Sequence, residues 1–181
     1  MSVRRWVTGL GAALVLVATG AWLVWPPGVD EHLWSQVRPV IEARLAADSK
    51  GSGYGETQPA LRSRWFCRAK VRDLDEHDGL VRAGVTTGCG EYGVRNGALV
   101  ECSGAWVPQV VRLQRDAAAE GGYRVVSRQE APDGAGSEKW VEDHFSFFHE
   151  PGPADEVPST VLEAAARRHF GLLTDAPVKD C

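Results

Sequence analysis

The residues most able to do chemistry are four cysteines, Cys67, Cys89, Cys102 and Cys181. They could supply a nucleophilic thiolate, a zinc site or two disulfides. None of their spacings is the short Cys-x-x-Cys of a structural zinc site. A reactive thiol needs a base beside it, and the five histidines include no H-E-x-x-H pair and no clear cysteine or serine partner. An even number of cysteines in an exported chain reads as a disulfide framework.

Carboxylates are the next candidates. Glu91 and Glu101 fall on neighbouring predicted strands, where a pair of acids could act as a general base, although acids on strand faces are usually solvated. The segment "EDHFSFFHE" is the densest group of potential metal ligands, with Asp143, His144, His149 and Glu150. Its spacing matches no metal site, and a helix bearing His144 followed by an exposed loop explains it better. "GSGYG" (51–55) has no preceding strand and no following Gly-Lys-Ser/Thr, so a phosphate cradle is disfavoured. No serine sits in a G-x-S-x-G elbow. These residues predict no catalytic, cofactor-binding or metal-binding set. Trp65 and Trp106, with Glu91 and Glu101, are the residues that could line a pocket in a concave sheet; the tryptophans more simply fill a core.

The elements that position these groups begin with the N-terminus. Arg4 and Arg5 precede an uncharged run from Trp6 to Trp25, closed by Pro26 and Pro27. Such a run, about 20 residues at ~1.5 Å each, crosses a hydrocarbon core of roughly 30 Å. Trp6, Trp22 and Trp25 suit the interfaces, and the arginines put the N-terminus in the cytoplasm and the rest outside. A single-pass anchor over residues 6–25 is therefore expected. Ala18, Gly20 and Ala21 keep a cleaved signal peptide, and hence secretion, as the alternative. All 24 acidic residues lie beyond the apolar run, in a chain of formal net charge -4. No basic patch of the kind nucleic acid requires is visible.

The remainder divides into three: an anchor or signal segment over 1–29, an α+β domain over 30–147 and a helical tail over 148–181. Leu33, Val37, Val40, Ile41 and Leu45 have helical spacing, with Asp30 as cap and Pro39 as an expected kink. "DSKGSGYGETQP" is a loop. Four alternating segments follow, "RSRWFCRAKVRDL", "LVRAGVTTGC", "ALVECSGAWVPQVVRLQRD" and "YRVVSRQ", separated by turn signals. Ser137 as a cap and Thr160 with Glu163 as a capping box predict later helices, and Gly171 stops the last. The expected fold is α+β, with an N-terminal helix on a bent four-stranded antiparallel sheet, helices covering one face, and helical segments after it.

Turn chemistry predicts the cysteine pairing. A three-residue loop His77-Asp78-Gly79 sets Glu76 against Leu80 and hence Cys67 against Cys89. Opposed residues are close enough for a disulfide. The same loop type at Arg95-Asn96-Gly97 leaves Cys89 and Cys102 one residue out of step, on opposite faces, and a two-residue Asn96-Gly97 turn allows only a diagonal contact. Cys67–Cys89 is thus favoured, and Cys102–Cys181 follows.

The pattern "FCRAKV…GLVRAGVTTGC…GALVECSG…VVRL…GYRVVSRQEAPDGAG" behind an anchor and a helix resembles uncharacterised small exported, membrane-anchored proteins of high-GC Gram-positive bacteria. The element order is similar to the cystatin-like or NTF2-like fold, and the resemblance covers roughly residues 30–147. It implies a concave sheet able to hold a pocket at the cell envelope, and it carries no active-site residues. The expected function is a non-catalytic extracytoplasmic module binding a protein partner or small ligand. The alternative is a pocket enzyme of NTF2-like type using Glu91 or Glu101 as general base.

Overall fold

The computed structural model describes residues 29–145 and 156–181. The expected membrane-spanning segment and the pair His149-Glu150 lie outside these residues. Among the described residues no helix is long and apolar enough to cross a membrane.

The first helix, α1 (Glu31–Asp48), starts where the Asp30 carboxylate accepts the Leu33 N–H at 3.0 Å, which satisfies one of the free donors of the first turn. Leu33, Trp34, Val37, Ile41 and Leu45 form its buried stripe. Pro39 lies inside the helix, on an exposed position, and the helix continues for two further turns. The bond lost at proline falls on the solvent side, and the packed stripe holds the rest.

Strands β1 (Arg64–His77), β2 (Leu80–Arg95), β3 (Ala98–Arg115) and β4 (Tyr123–Glu130) form an antiparallel meander. The helices α2 (Gly136–His144) and α3 (Ser159–Phe170) come next, and β5 (Val178–Asp180) returns parallel to β3. The sheet is therefore five-stranded and mixed rather than four-stranded and antiparallel. β4 covers β3 only along Gln109–Arg115, which leaves Leu99–Glu101 free to pair with β5. Gly171, at φ 66, ends α3 and turns the chain toward that gap.

Helices cover both faces of the sheet, not one. Neighbouring strand residues point to opposite faces. Cys67, Ala69, Cys89 and Leu113 pack with α1, whereas Phe66, Tyr92 and Leu99 pack with Leu162 and Ala166 of α3. The sequence of β2 and β3 allows this because apolar or small residues occupy both faces, as in Leu99-Val100. The expected caps do not form. α2 begins at Gly136 with no side-chain cap, and α3 begins just after Pro158. Thr160 is thereby inside the first turn, and Glu163 pairs instead with Arg167 at 3.1 Å.

The first hairpin turn is one residue shorter than expected, and the second is the shorter of the two turns considered. Asp78 (φ 51) and Gly79 (φ 75) make a two-residue loop, so His77, not Glu76, faces Leu80. Both loop residues take positive φ, as the tight turn matching strand twist requires. A bulge at Arg72, between Val71 and Asp73, then restores the offset, and Cys67 faces Cys89 after all. Asn96 and Gly97 make the second two-residue turn, and a bulge drops Cys102 out of the ladder: Tyr92 faces Glu101 and Glu91 faces Ser103. The disulfides are Cys67–Cys89 and Cys102–Cys181, with Cα separations of 4.1 and 4.7 Å. These are the two pairs favoured from turn chemistry. The second joins the extra residue of a bulge to the residue that follows β5.

The edge of β1 is occupied by side chains. Glu42 of α1 accepts the Ala69 N–H at 3.1 Å, and Arg68 donates to the Cys67 carbonyl at 2.8 Å. Unpaired edge groups invite a foreign strand, and this pair uses two of them.

Candidate functional site

The site is built by the segment between α1 and β1. After Ser49 caps α1, residues 50–63 cross the end of the sheet through two short turns, Gly55–Thr57 and Pro59–Leu61, before β1 begins. We call this segment the strap. Its anchor is Glu91, a β2 residue whose side chain is completely buried. A buried carboxylate must be satisfied by hydrogen bonds. Gly55 N–H donates to Oε2 at 2.8 Å and the Ser63 hydroxyl donates to Oε1 at 2.6 Å. Tyr54 N–H donates to the Ser103 hydroxyl at 2.9 Å, beside Glu91 on β3.

This closeness explains the glycines of "GSGYG". A Cβ on Gly53 would lie 2.3 Å from Glu91 Oε2, and one on Gly55 would lie 2.7 Å from Oε1 and 2.9 Å from Cys102 Sγ. Only a residue without Cβ lets the backbone come so near. A second acid completes the strap: Glu56 Oε2 accepts from Gly51 N–H at 2.7 Å and Gly53 N–H at 3.2 Å. The segment reads as a glycine-rich loop from its sequence, and its role in covering an acid does not, because the acid lies 36 residues further on.

Outside the strap are two adjoining clefts that share Glu56, Ser63 and Arg64. The larger, about 590 Å³, is walled by Gln58, Arg62 and Arg64 on one side and by His169 and Phe170 of α3 on the other. The smaller, about 240 Å³, lies against α1 between Ala47, Lys50 and Trp65. Glu91 lines neither cleft; Gly55 and Ser63 stand between it and the opening. His169 packs edge-on against Phe66 and Phe170, with ring centroids 5.5 and 4.9 Å apart.

The four residues singled out from the sequence for a pocket do not converge. Trp65 and Glu91 are cross-strand partners on the α1 face. Trp65 is half-buried and lines the smaller cleft, and its indole N–H has no partner. Glu101 opposes Tyr92 on the α3 face, where the tyrosine hydroxyl donates to its Oε1 at 3.3 Å. Trp106 shares that face but lies further along β3, over Gly88 and Gly104, and donates to the Val157 carbonyl at 2.9 Å. Arg62, Arg64 and His169 were not anticipated as a set. His169 lies more than a hundred residues from the two arginines in sequence, and only the packing of α3 beside β1 joins them.

Among the described residues four groups have raised pKa values: the exposed Arg115 and Lys139, through their hydrogen bonds to Glu76 and Asp143, and the more buried Glu42 and Tyr92. Burial raises Glu42 above the ordinary carboxylate value, opposed by its bond from Ala69 N–H and by Arg68 and Arg38. Burial first, and then the neighbouring Glu101, push the Tyr92 phenol well above its usual range. Among the described residues no group of three or more histidine, cysteine, aspartate or glutamate side chains could hold a metal ion.

Chemically, the arrangement sets a sealed acid behind an open, cation-lined cleft. Both Glu91 oxygens are engaged by the protein's own donors. The guanidinium groups of Arg62 and Arg64 face a surface wide enough for a ligand of several residues or a small molecule. Comparison with family models, with curated proteins and with solved structures returns no match.

Proposed function

We propose that the chain is an extracytoplasmic binding module, without catalytic activity, that engages a protein partner or small ligand at the cell envelope. Residues 6–25 hold it to the cytoplasmic membrane as a single span with the C-terminal domain outside, and release by cleavage is the alternative. Its helix followed by a curved meander is the order of the cystatin-like and NTF2-like domains and of the exported Gram-positive proteins that the sequence resembles. Two disulfides are consistent with an oxidising compartment.

One observation carries the non-catalytic reading. The sheet face under α1 is filled: Trp34, Val37, Ile41 and Leu45 of α1 form one core cluster with Val81, Val85, Val111 and Leu113. The acid beyond that core, Glu91, is closed off by the strap with both oxygens engaged. A general base needs an oxygen within reach of the substrate proton. The pocket-enzyme alternative rests on Glu91 or Glu101; Glu101 is half-buried on the opposite face and shared with the Tyr92 hydroxyl.

Affinity capture of the full chain from its native membrane tests this reading. A specific co-purifying protein or reversibly bound ligand is expected. A recovered metabolite that the purified chain converts to product would overturn it.

A further inference from the structure

We propose that the larger cleft is a binding site for a carboxylate-rich segment of a partner protein, held by Arg62 and Arg64 from the strap and by His169 from α3. This assignment rests on the binding-module reading and names the chemistry of what is bound.

Among the described residues several arginines are paired with acids, Arg44 and Arg128 with Asp48, Arg82 with Asp73 and Arg115 with Glu76, and others bond to neutral groups, as Arg72 does to Thr86 and Arg95 to Gln58. Arg62 and Arg64 have no acidic or hydrogen-bonding partner among the described residues, yet both line the same cleft. Glu56 lines the same cleft but makes no ion pair with either arginine, its Oε2 accepting instead from the N–H groups of Gly51 and Gly53. Ser63, between the two arginines, donates to Glu91 instead. The strap's attachment to the core thus fixes the base from which both guanidinium groups rise.

The backbone adds a second observation. Arg62 sits at φ 50 and ψ 40, in the left-handed region. A residue with a Cβ is held there at a cost, which glycine or asparagine would lessen. A strained residue held by its surroundings is a common mark of a binding position. Two arginines beside a single acid, Glu56, in the cleft lining also stand out in a chain of net charge -4.

The polar groups come from both walls, two guanidinium groups from the strap side and the His169 imidazole from α3. This suits a ligand whose charges are spaced along it, such as an acidic peptide, more than one compact anion. Guanidinium forks bind carboxylates in bidentate fashion, and the Phe170 ring supplies an apolar flank.

Fluorescence anisotropy of the full chain in non-ionic detergent tests the assignment, with a labelled peptide of alternating glutamate and glycine as probe. The matching glutamine–glycine peptide and inorganic phosphate serve as competitors. Arg62→Ala and Arg64→Ala should each weaken the glutamate peptide by about tenfold, the usual size of one charge-assisted contact. Arg112→Ala, an exposed arginine of β3 away from the cleft, should leave it unchanged. Equal binding of the two peptides, indifference to both cleft substitutions, or displacement by phosphate with no peptide binding would overturn the assignment. Capture from native membranes separates the two claims. If the doubly substituted chain retrieves the same partner as the wild type, the cleft assignment fails and the binding-module reading stands. If the wild type retrieves nothing and binds no probe, both fail.

Discussion

Gly53→Ala is the sharpest perturbation of the strap. Gly53 has an ordinary φ, so alanine meets no backbone penalty there, but its Cβ would lie 2.3 Å from Glu91 Oε2, where ordinary contact begins near 3.4 Å. The carboxylate or the strap must therefore shift by about 1 Å. That shift breaks the 2.8 Å bond from Gly55 N–H to the same oxygen. A hydrogen bond to a charged group contributes about 1.5–3 kcal/mol, so Gly53→Ala should destabilise the fold by about 2–3 kcal/mol. The melting temperature should fall by about 4–12 °C for a domain of this size. Urea unfolding of the wild type, both single variants and the double variant with Glu91→Ala measures the coupling. With the carboxylate gone, Gly53→Ala should cost less than about 0.5 kcal/mol, which leaves a coupling of about 2 kcal/mol between the positions. Additive effects would refute the reasoning, because the glycine would then answer to something other than Glu91. Gly51→Ala is the control. It has open space but φ +87, so its smaller cost, about 1 kcal/mol, should be the same with or without Glu91.

The disulfides should differ in effect. In the chain-entropy picture, replacing Cys102 and Cys181 by serine opens a loop of 79 residues and costs about 4.5 kcal/mol. Replacing Cys67 and Cys89 opens one of 22 and costs about 3.4 kcal/mol; chemical unfolding in the absence of reductant ranks them, and the opposite order would count against the loop account. Burial raises the Glu42 pKa above 4.5, so folding favours the protonated form. The stability linked to this group is fully present below its unfolded pKa and is lost as pH rises through the raised value. Glu42→Gln should flatten stability against pH in the window just above 4.5, and an unchanged slope would reject the assignment. Tyr92→Phe should cost less than about 1 kcal/mol, because its 3.3 Å bond is long and Glu101 can turn to water; a larger loss in thermal melts would mean that the hydroxyl does more than fill its place.

Turn signals and alternation made the meander legible, because Asp78-Gly79 and Asn96-Gly97 are strong hairpin dipeptides. The disulfide pairing was also legible, but partly through two compensating features. The first loop is one residue shorter than expected, and the bulge at Arg72 adds that residue back before Cys67. Bulges leave little mark in a pattern of apolar positions, since they answer to local twist and packing. β5 was hidden for a different reason: three residues carry no periodicity, and only the gap in β3 makes them a strand. The strap and its cleft depend on distant segments brought together, Gly55 bonded to Glu91 and Arg62 lining one cleft with His169. Composition could identify a glycine-rich loop there, but not the acid that it covers.

Glu91, buried beneath the strap with both oxygens engaged, is where the proposed binding module and the pocket enzyme part company. Affinity capture of the full chain from its native membrane, run in parallel for the wild type and Glu91→Gln, separates the two most directly. Gln retains an acceptor for Gly55 N–H and can donate to the Ser63 hydroxyl. Both chains should retrieve the same bound species in similar yield. A small molecule that accumulates unconverted on Glu91→Gln and is turned over by the wild type would contradict the binding-module reading.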